Sequence, residues 1–393
     1  MMNYTKYPPA DDLKTRWVRL QELLSEEGSD ACLISSSVNI YYLTGMVFNG
    51  FFYLQATGNP IYFVRRPEDL QHPYALSIRK AEDIPDLLLK NNSGVPGSVL
   101  LEADQMTYSE HVRLQALFPD AKIGNATPLL RKQRMIKTSW EIEQLKYSGK
   151  IHAKVYSGIR DCYHPGMSDV ELQSNVERAM RLAGSIGLFR SFGSNMDIYM
   201  GSMLAGDNAE VPSPFDFALG GAGIHPSLPI GSNGSVLKEG TSLMVDMAGN
   251  YTAYTTDMTR VFSIGKLPAK AYYAHQVSID MHNRLISETK PGTSCASIYN
   301  YTLQMAADAG LSDYFMGTRQ QAKFVGHGVG IEINELPVFM GRSVDLLQPG
   351  MTFAFEPKFV LPGVGALGIE NTYLVTDTGI EKITNFEENI LEL

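Results

Sequence analysis

Residues 352–371 read TFAFEPKFVLPGVGALGIEN, and this stretch decides the fold of the C-terminal part of the chain. Two apolar segments flank a Pro- and Gly-rich turn centred on Gly363, which predicts a β-hairpin. Glu356 and Glu370 each lie seven residues from Gly363, so the hairpin places them opposite each other on neighbouring strands, about 5 Å apart. Two facing acids inside apolar strands are poorly explained as surface carboxylates, and we expect them to share one site.

A second acidic pair, Asp246 and Asp257, lies in another predicted hairpin. The two residues are symmetric about the junction of residues 251 and 252, so a turn centred there also places them opposite each other. Residues 249–250, Gly-Asn, offer an earlier turn centre that would break this register. The sequence leaves both alternatives open.

An internal repeat connects the two hairpins. Residues 165–184 and 291–310 each predict a helix that opens with Pro-Gly-x-Ser and closes with Ala-Gly, and each follows another long helical segment. After each come a Gly-rich loop, a Leu-Pro pair and a strand whose acid, Asp246 or Glu356, lies six residues beyond a glycine. The pattern predicts a duplicated helix-helix-hairpin unit whose two acidic hairpins face each other.

Five side chains are typical of metal ligands: Asp246, Asp257, His327, Glu356 and Glu370. The glycines on either side of His327 leave its imidazole free to project. Four carboxylates and one neutral imidazole carry four negative charges, which match two divalent cations, whereas the same carboxylates without metal would repel one another. Phosphate-loop motifs and the HExxH zinc motif are absent. The set therefore predicts a two-metal site and a hydrolase.

The first part of the chain reads as a smaller α/β domain. Helical spacing covers residues 12–27, an apolar strand follows at 31–35, and residues 51–64 predict a hairpin. The pattern then breaks ahead of Thr138, which starts a capping box with Glu141. We place the domains at residues 1–134 and 135–393.

Composition restricts the function classes. The chain has 393 residues, of which 44% are hydrophobic and 19% charged, with a net charge of −9 and no basic stripe, so a nucleic-acid binder is not expected. The sequence shows no apolar leader and no stretch as long as a membrane span. Three widely spaced cysteines indicate neither a disulfide framework nor a zinc knuckle. We expect a soluble cytoplasmic protein.

These residues resemble the metallopeptidases that include prolidase, aminopeptidase P and methionine aminopeptidase. The segments that carry the resemblance are Val245-Asp246, residues 256–260 (TDMTR), Gly326-His327-Gly328, Phe355-Glu356-Pro357 and residues 368–371 (GIEN). Residues 39–45 (NIYYLTG) further resemble the N-terminal domain shared by creatinase and prolidase. The resemblance implies an α/β (α+β) protein in which a creatinase-type N-terminal domain precedes a pita-bread catalytic domain built from the duplicated unit.

The resemblance also implies roles for the five ligands. Asp257 and Glu370 would bridge two metal ions, Asp246 would complete the site of one ion, and His327 and Glu356 would complete the other. A water activated between the ions would attack a peptide carbonyl, and Glu356 would carry its proton to the leaving nitrogen. The resemblance implies manganese or cobalt as the metal, and zinc or iron would also suit the same ligands.

The substrate side departs from this resemblance. His225 maps onto a histidine that steadies the tetrahedral intermediate, although it also fits a plain loop position. Asn334 stands where prolidase and aminopeptidase P have a histidine, Gly368 where they have arginine, and Asn371 where they have aspartate. Asn334 can donate a hydrogen bond to a substrate carbonyl but cannot carry a proton.

We therefore predict a metal-dependent exopeptidase that hydrolyses small peptides of Xaa-Pro type, as a dipeptidase or an aminopeptidase, and that forms a homodimer. One alternative is a creatinase-like hydrolase or lyase of a small nitrogenous compound. The other is a catalytically silent member of the fold that binds a peptide or a partner.

Overall fold

The computed structural model describes residues 5–193, 199–215 and 217–393. The chain divides into two compact units, Thr5–Arg134 and Met135–Leu393. Within the described ranges, every helix is too short or too polar to cross a membrane.

The first unit contains one mixed sheet with helices between its strands. Its strands are β1 (Ala31–Ile34), β2 (Asn49–Gln55), β3 (Ile61–Arg66), β4 (Ala75–Ser77), β5 (Ser98–Leu101) and β6 (Lys122–Asn125), in the spatial order β4-β3-β2-β1-β5-β6. Its helices are α1 (Ala10–Glu26), α2 (Ser37–Thr44), α3 (Ile84–Lys90), α4 (Tyr108–Gln115) and α5 (Thr127–Met135). The predicted hairpin is present, since β2 and β3 pair antiparallel with Phe52 opposite Tyr62.

The second unit contains the helices of the predicted repeat. They are α6 (Ser139–Tyr156), α7 (Asp169–Leu182), α8 (Ala269–Glu288) and α9 (Cys295–Asp308). The hydroxyl of Ser168 caps α7 and that of Ser294 caps α9, at the positions where the Pro-Gly-x-Ser segments predict helix starts. Thr138 and Glu141 form the predicted capping box of α6.

Three groups of strands complete the second unit. The strands are β7 (Gly201–Ala205), β8 (Thr241–Gly249), β9 (Thr256–Ile264), β10 (Gly326–Gly328), β11 (Glu335–Val338), β12 (Thr352–Phe355), β13 (Lys358–Leu361), β14 (Gly365–Gly368), β15 (Asn371–Val375), β16 (Ile380–Lys382) and β17 (Leu391–Glu392). One sheet has the order β17-β9-β8-β7, the other has the order β11-β10-β12-β15-β16, and β13 pairs with β14 as a separate ribbon.

The hairpin that contains residues 352–371 has the predicted register. Phe355 faces Asn371 where β12 pairs with β15, so the next residues inward, Glu356 and Glu370, lie opposite each other. The pair β13–β14 continues the same register around Gly363. The two glutamates therefore occupy an interruption between two paired segments, and we call this interruption the ribbon break.

The register of β8 and β9 differs from both predicted alternatives. Asp246 faces Thr259 rather than Asp257, because the turn is centred one residue later than predicted. Side chains close this longer turn, since the Tyr254 N–H donates to Thr252 Oγ1 over 3.0 Å. The residue opposite Asp246 is thus two positions further along β9 than predicted. Because side chains alternate between the two faces of a sheet, a difference of two residues keeps Asp246 and Asp257 on the same face.

Each half of the second unit packs its helices on its own sheet. Val176 of α7 packs in one cluster with Leu243 of β8, and Leu285 of α8 packs in another cluster with Phe353 of β12. The two sheets meet at β9 and β15. This arrangement brings the acidic strands of the two halves together, as the repeat predicts.

Candidate metal centre

All five predicted ligands converge in the second unit. Asp246 lies on β8, Asp257 on β9 and His327 on β10, whereas Glu356 and Glu370 lie at the ribbon break. Their donor atoms form two groups, Asp257 with His327 and Glu370, and Asp246 with Glu356 and Glu370, and the atoms of each group lie within 4.8 Å of one another. We call these the first and the second donor group. His327 Nε2 lies 3.5 Å from Glu356 Oε1 and 3.8 Å from Asp257 Oδ2.

Buried hydroxyls hold the two acids that join the sheets. The Asp257 N–H donates to Thr372 Oγ1 over 2.8 Å, and Thr372 Oγ1 donates to the Asp257 carbonyl over 2.8 Å. Thr259 Oγ1 donates to Glu370 Oε2 over 2.6 Å, and Arg260 Nη1 donates to the Glu370 carbonyl over 2.8 Å. The contact of Thr259 orients the Glu370 carboxylate before an ion binds, whereas the other contacts fix the backbone of Asp257 and Glu370.

Helix α8 satisfies the backbone groups that the ribbon break leaves unpaired. The Gly368 N–H donates to His275 Nδ1 over 3.1 Å, and the Ile369 N–H donates to Ser278 Oγ over 3.0 Å. His282 Nε2 lies 3.1 Å from the Ile369 carbonyl, which fixes Nε2 as the protonated nitrogen. Residues 275, 278 and 282 share one face of α8, and sequence analysis gave these histidines no role.

The buried histidines are neutral. Burial lowers the pKa of His282 to about 3 and that of His275 to about 4. His152 is also fully buried, with Nδ1 3.1 Å from Thr256 Oγ1, and burial lowers its pKa to about 3. His152 is thus a core residue without a place in the centre.

A residue that sequence analysis missed, Lys358, lies inside the centre. Its Nζ donates to Asp246 Oδ2 over 3.0 Å, to Glu356 Oε2 over 2.7 Å and to Glu370 Oε2 over 3.1 Å, and its side chain is 0% exposed. The spacing of Lys358 from Glu356 in the sequence could have indicated this position. Lys358 lies two residues after Glu356 in an apolar strand segment, and residues two apart point to the same side of an extended chain.

The electrostatics of the centre follow from burial and charge. Burial alone would lower the pKa of Lys358, but the carboxylates of Asp246, Glu356 and Glu370 outweigh it and raise that pKa well above its ordinary value. Burial, together with the neighbouring acids, raises the pKa of Asp257 and of Glu370 well above the usual carboxylate range. If all four carboxylates were ionised, they and Lys358 would carry a net charge of about −3, so a bound cation would stabilise the ionised forms of Asp257 and Glu370.

The first donor group fits a divalent ion. It combines one imidazole with two carboxylates, a set that first-row transition ions accept. Glu370 Oε1 is buried and has no hydrogen-bond partner within the described residues, which is the arrangement expected of an oxygen that awaits a cation.

The second donor group fits a further ion poorly, because one ammonium already contacts all three of its carboxylates. Two unit charges 4 Å apart interact by about 4 kcal/mol at an effective dielectric constant of about 20, so a divalent ion at that distance would be repelled by about twice as much.

Solvent reaches the centre at both donor groups. The side chains of Asp257 and His327 are 11% and 15% exposed and that of Asp246 is 16% exposed, whereas those of Lys358 and Glu370 are 0% and 1% exposed. A small molecule would therefore meet Asp246, Asp257 and His327 before the buried Lys358 and Glu370.

Both predicted substrate residues have hydrogen-bond partners within the protein. His225 lies on an exposed turn, where Nδ1 lies 2.8 Å from Ser227 Oγ and accepts from the Ser227 N–H over 3.1 Å. The Asn334 amide accepts from the Phe192 N–H over 2.7 Å and donates to the Phe192 carbonyl over 2.9 Å. Asn334 thus fixes the backbone at Phe192. Contact of either residue with substrate stays a prediction.

Local geometry explains two of the departures on the substrate side. Gly368 has φ +115°, and a β-carbon there would lie 2.6 Å from the Pro357 carbonyl oxygen, so a side chain of any size is strained at this position. The Asn371 amide accepts from Arg260 Nη2 over 2.9 Å and donates to Glu388 Oε1 over 2.8 Å. Neither residue faces open space.

The family comparison agrees with this architecture. The model for metallopeptidase family M24 matches residues 143–377, and that for the creatinase/prolidase N-terminal domain matches residues 16–136. The chain belongs to metallopeptidase family M24. The predicted family, the two-domain fold with its pita-bread domain, and a metallohydrolase as the class of enzyme are confirmed.

Individual M24 relatives cover nearly the whole chain. The Xaa-Pro dipeptidase of Pyrococcus furiosus is 23% identical over 388 residues, which are 96% of this chain and 100% of that protein. The uncharacterized peptidase YqhT of Bacillus subtilis is 25% identical over 390 residues, 95% of this chain and 99% of that protein. Among solved structures, the Xaa-Pro dipeptidase of Bacillus anthracis superposes with a TM-score of 0.81 at 22% identity, covering 97% of this chain and 100% of that one.

Proposed function

We propose that this M24 protein is a metal-dependent exopeptidase that hydrolyses Xaa-Pro bonds of small peptides. The convergence of one imidazole and four carboxylates at a single buried centre carries the proposal. The relatives named as Xaa-Pro dipeptidases support this substrate class and favour a dipeptidase over an aminopeptidase.

Asp257, His327 and Glu370 would hold a divalent ion. When bound, such an ion supplies Lewis acidity to the peptide carbonyl and lowers the pKa of water. Manganese or cobalt is the metal we propose, with zinc or iron as further candidates for the same donors.

Glu356 is the residue we propose as proton carrier. Its Oε2 accepts from Lys358, whereas its Oε1 lies on the His327 side of the centre. Oε1 would take a proton from the attacking water and deliver it to the leaving nitrogen. His225 is proposed to steady the tetrahedral intermediate and Asn334 to bind substrate, and both assignments rest on the resemblance to the family.

Peptide cleavage by metal-loaded protein tests the proposal. The protein is stripped with chelator, reloaded with Mn²⁺ or Co²⁺, and given Xaa-Pro dipeptides, Xaa-Pro tripeptides, Xaa-Ala dipeptides and creatine. We expect cleavage of the Xaa-Pro dipeptides, loss of cleavage with chelator, and a fall of about 10²–10⁴-fold in kcat for Glu356→Gln.

Glu381→Gln is the matched control, because Glu381 is a half-exposed glutamate whose partner is Lys146, outside the centre. It should leave kcat unchanged. Turnover of creatine in place of peptides would instead establish the creatinase-like alternative, and metal-loaded protein that leaves every peptide intact would remove the peptidase proposal. A homodimer and a cytoplasmic location stay predictions.

A further inference from the structure

We propose that Lys358 takes the place of one of the two divalent ions, so that the centre binds a single ion at the first donor group. This inference rests on the proposed metal-dependent function and concerns the make-up of the same site. It departs from the expectation of two ions that the charge of the five ligands alone suggested.

The ammonium of Lys358 is bound as a small cation would be. An ammonium has three N–H donors, and Lys358 directs them to Asp246, Glu356 and Glu370 over 2.7–3.1 Å. These carboxylates are the whole second donor group. An ion with bonds of about 2.0–2.2 Å to the same oxygens would have to displace the ammonium.

The backbone keeps Lys358 in this position. Its carbonyl accepts from the Met316 N–H over 2.8 Å, its own N–H donates to Met316 Sδ over 3.4 Å, and it pairs with Gly368 across the ribbon. The side chain starts from a fixed strand and is fully buried. Movement of the ammonium away from these carboxylates would leave a buried charge without hydrogen-bond acceptors, and this is energetically unfavourable.

Lys358 also positions Glu370, which is a ligand of the remaining ion, and the neighbouring Glu356. It binds Oε2 of Glu356 and Oε2 of Glu370, and Thr259 donates to the same oxygen of Glu370. The other oxygens differ: Oε1 of Glu370 has no hydrogen-bond partner among the described residues, and Oε1 of Glu356 lies 3.5 Å from His327 Nε2. The lysine thus holds one oxygen of each carboxylate, which leaves Oε1 of Glu370 for the first donor group and Oε1 of Glu356 on the side of His327. Lys358 is a positioning residue rather than a catalytic one, because all three of its donors are used.

Metal counting tests this inference independently of peptide cleavage. Full-length protein is dialysed against excess Mn²⁺, and bound manganese per chain is measured by elemental analysis and by electron paramagnetic resonance. The wild-type protein should bind one ion with the sextet spectrum of isolated Mn²⁺. Lys358→Ala, which frees the second donor group, should bind two ions, a two-fold increase, with a spin-coupled spectrum.

The control is Lys146→Ala, which removes a partly exposed lysine whose partner is Glu381, and it should bind one ion like the wild type. Two ions in the wild type, or one ion in a folded Lys358→Ala variant, would overturn the inference. If the Lys358→Ala variant does not fold, the number of manganese ions bound per wild-type chain is sufficient to test the inference. Wild-type protein without bound metal would remove both this inference and the metal-dependent function, whereas one bound ion without peptide cleavage would remove only the substrate proposal.

Discussion

Replacement of Thr259 by valine would remove one hydrogen bond from Glu370 while nearly preserving the shape of the side chain. The bond is short, 2.6 Å from Thr259 Oγ1 to Glu370 Oε2, and both residues are at most 1% exposed. Loss of a hydrogen bond to a charged group costs about 1.5–3 kcal/mol. The variant also leaves Glu370 held on Oε2 by Lys358 alone among the contacts described here.

The effect on metal affinity follows from the same contact. Removal of a group that orients a metal ligand weakens binding by about 10–100-fold, which corresponds to about 1.4–2.8 kcal/mol. The two magnitudes agree, because both describe the loss of one charge-assisted bond to the same carboxylate.

Isothermal titration of chelator-treated protein with Mn²⁺ measures this effect. Thr259→Val should raise the metal Kd by about 10–100-fold. Thr259→Ser keeps the hydroxyl and loses one buried methyl group, so it should lower the unfolding free energy by about 1 kcal/mol and leave the Kd within a few-fold of wild type. Equal Kd values for the valine variant and the wild type would refute the reasoning that Thr259 orients Glu370 for an ion.

Further predictions concern stability. Lys137 and Glu335 form a buried ion pair of 2.8 Å, so Lys137→Met should lower the free energy of unfolding, measured in urea, by about 3–5 kcal/mol. Lys146→Met should lower it by at most about 1 kcal/mol. Similar losses for both variants would contradict the conclusion that the Lys137–Glu335 pair is buried and the Lys146 pair is not. Burial lowers the pKa of His152 from 6.5 to about 3, so between these values the unfolded chain takes up a proton that the folded chain does not. The protein therefore loses stability as the pH falls below about 6.5. His152→Gln should show a smaller drop in melting temperature between pH 7 and pH 5 than the wild type. An equal drop in both proteins would disprove this role of His152. Gly368→Ala should cost about 1–3 kcal/mol in urea unfolding, because φ is +115° and the added carbon meets a carbonyl oxygen; wild-type stability would show that the strand shifts freely.

The regular parts of the fold could be predicted because local rules determine them. The helices α7 and α9 begin at serine caps, and the turn at Gly363 fixes the register that places Glu356 opposite Glu370. The turn between β8 and β9 follows no such rule, since the side chain of Thr252 closes it. A longer turn held by a side chain has no fixed length, and the predicted pairing was therefore wrong by two residues.

The position of Lys358 depends on tertiary packing rather than on local pattern. Alternation along the strand predicts that Lys358 lies on the same side as Glu356. It does not predict whether that side faces solvent or the protein interior. A lysine in an apolar strand more often reaches solvent. Only the meeting of the two sheets turns that side into the interior. The convergence of the five candidate ligands was therefore predictable from residue types and spacing, whereas the ammonium among them was not.

The role of α8 has a consequence for protein engineering. His275, Ser278 and His282 form hydrogen bonds with the backbone at the ribbon break, so this helix supports the candidate metal centre although it contributes none of the five donors. Transplantation of the five ligands onto another pair of strands would reproduce the list of donors but not their support. A designer who moves this centre would need to carry the polar stripe of that helix with it.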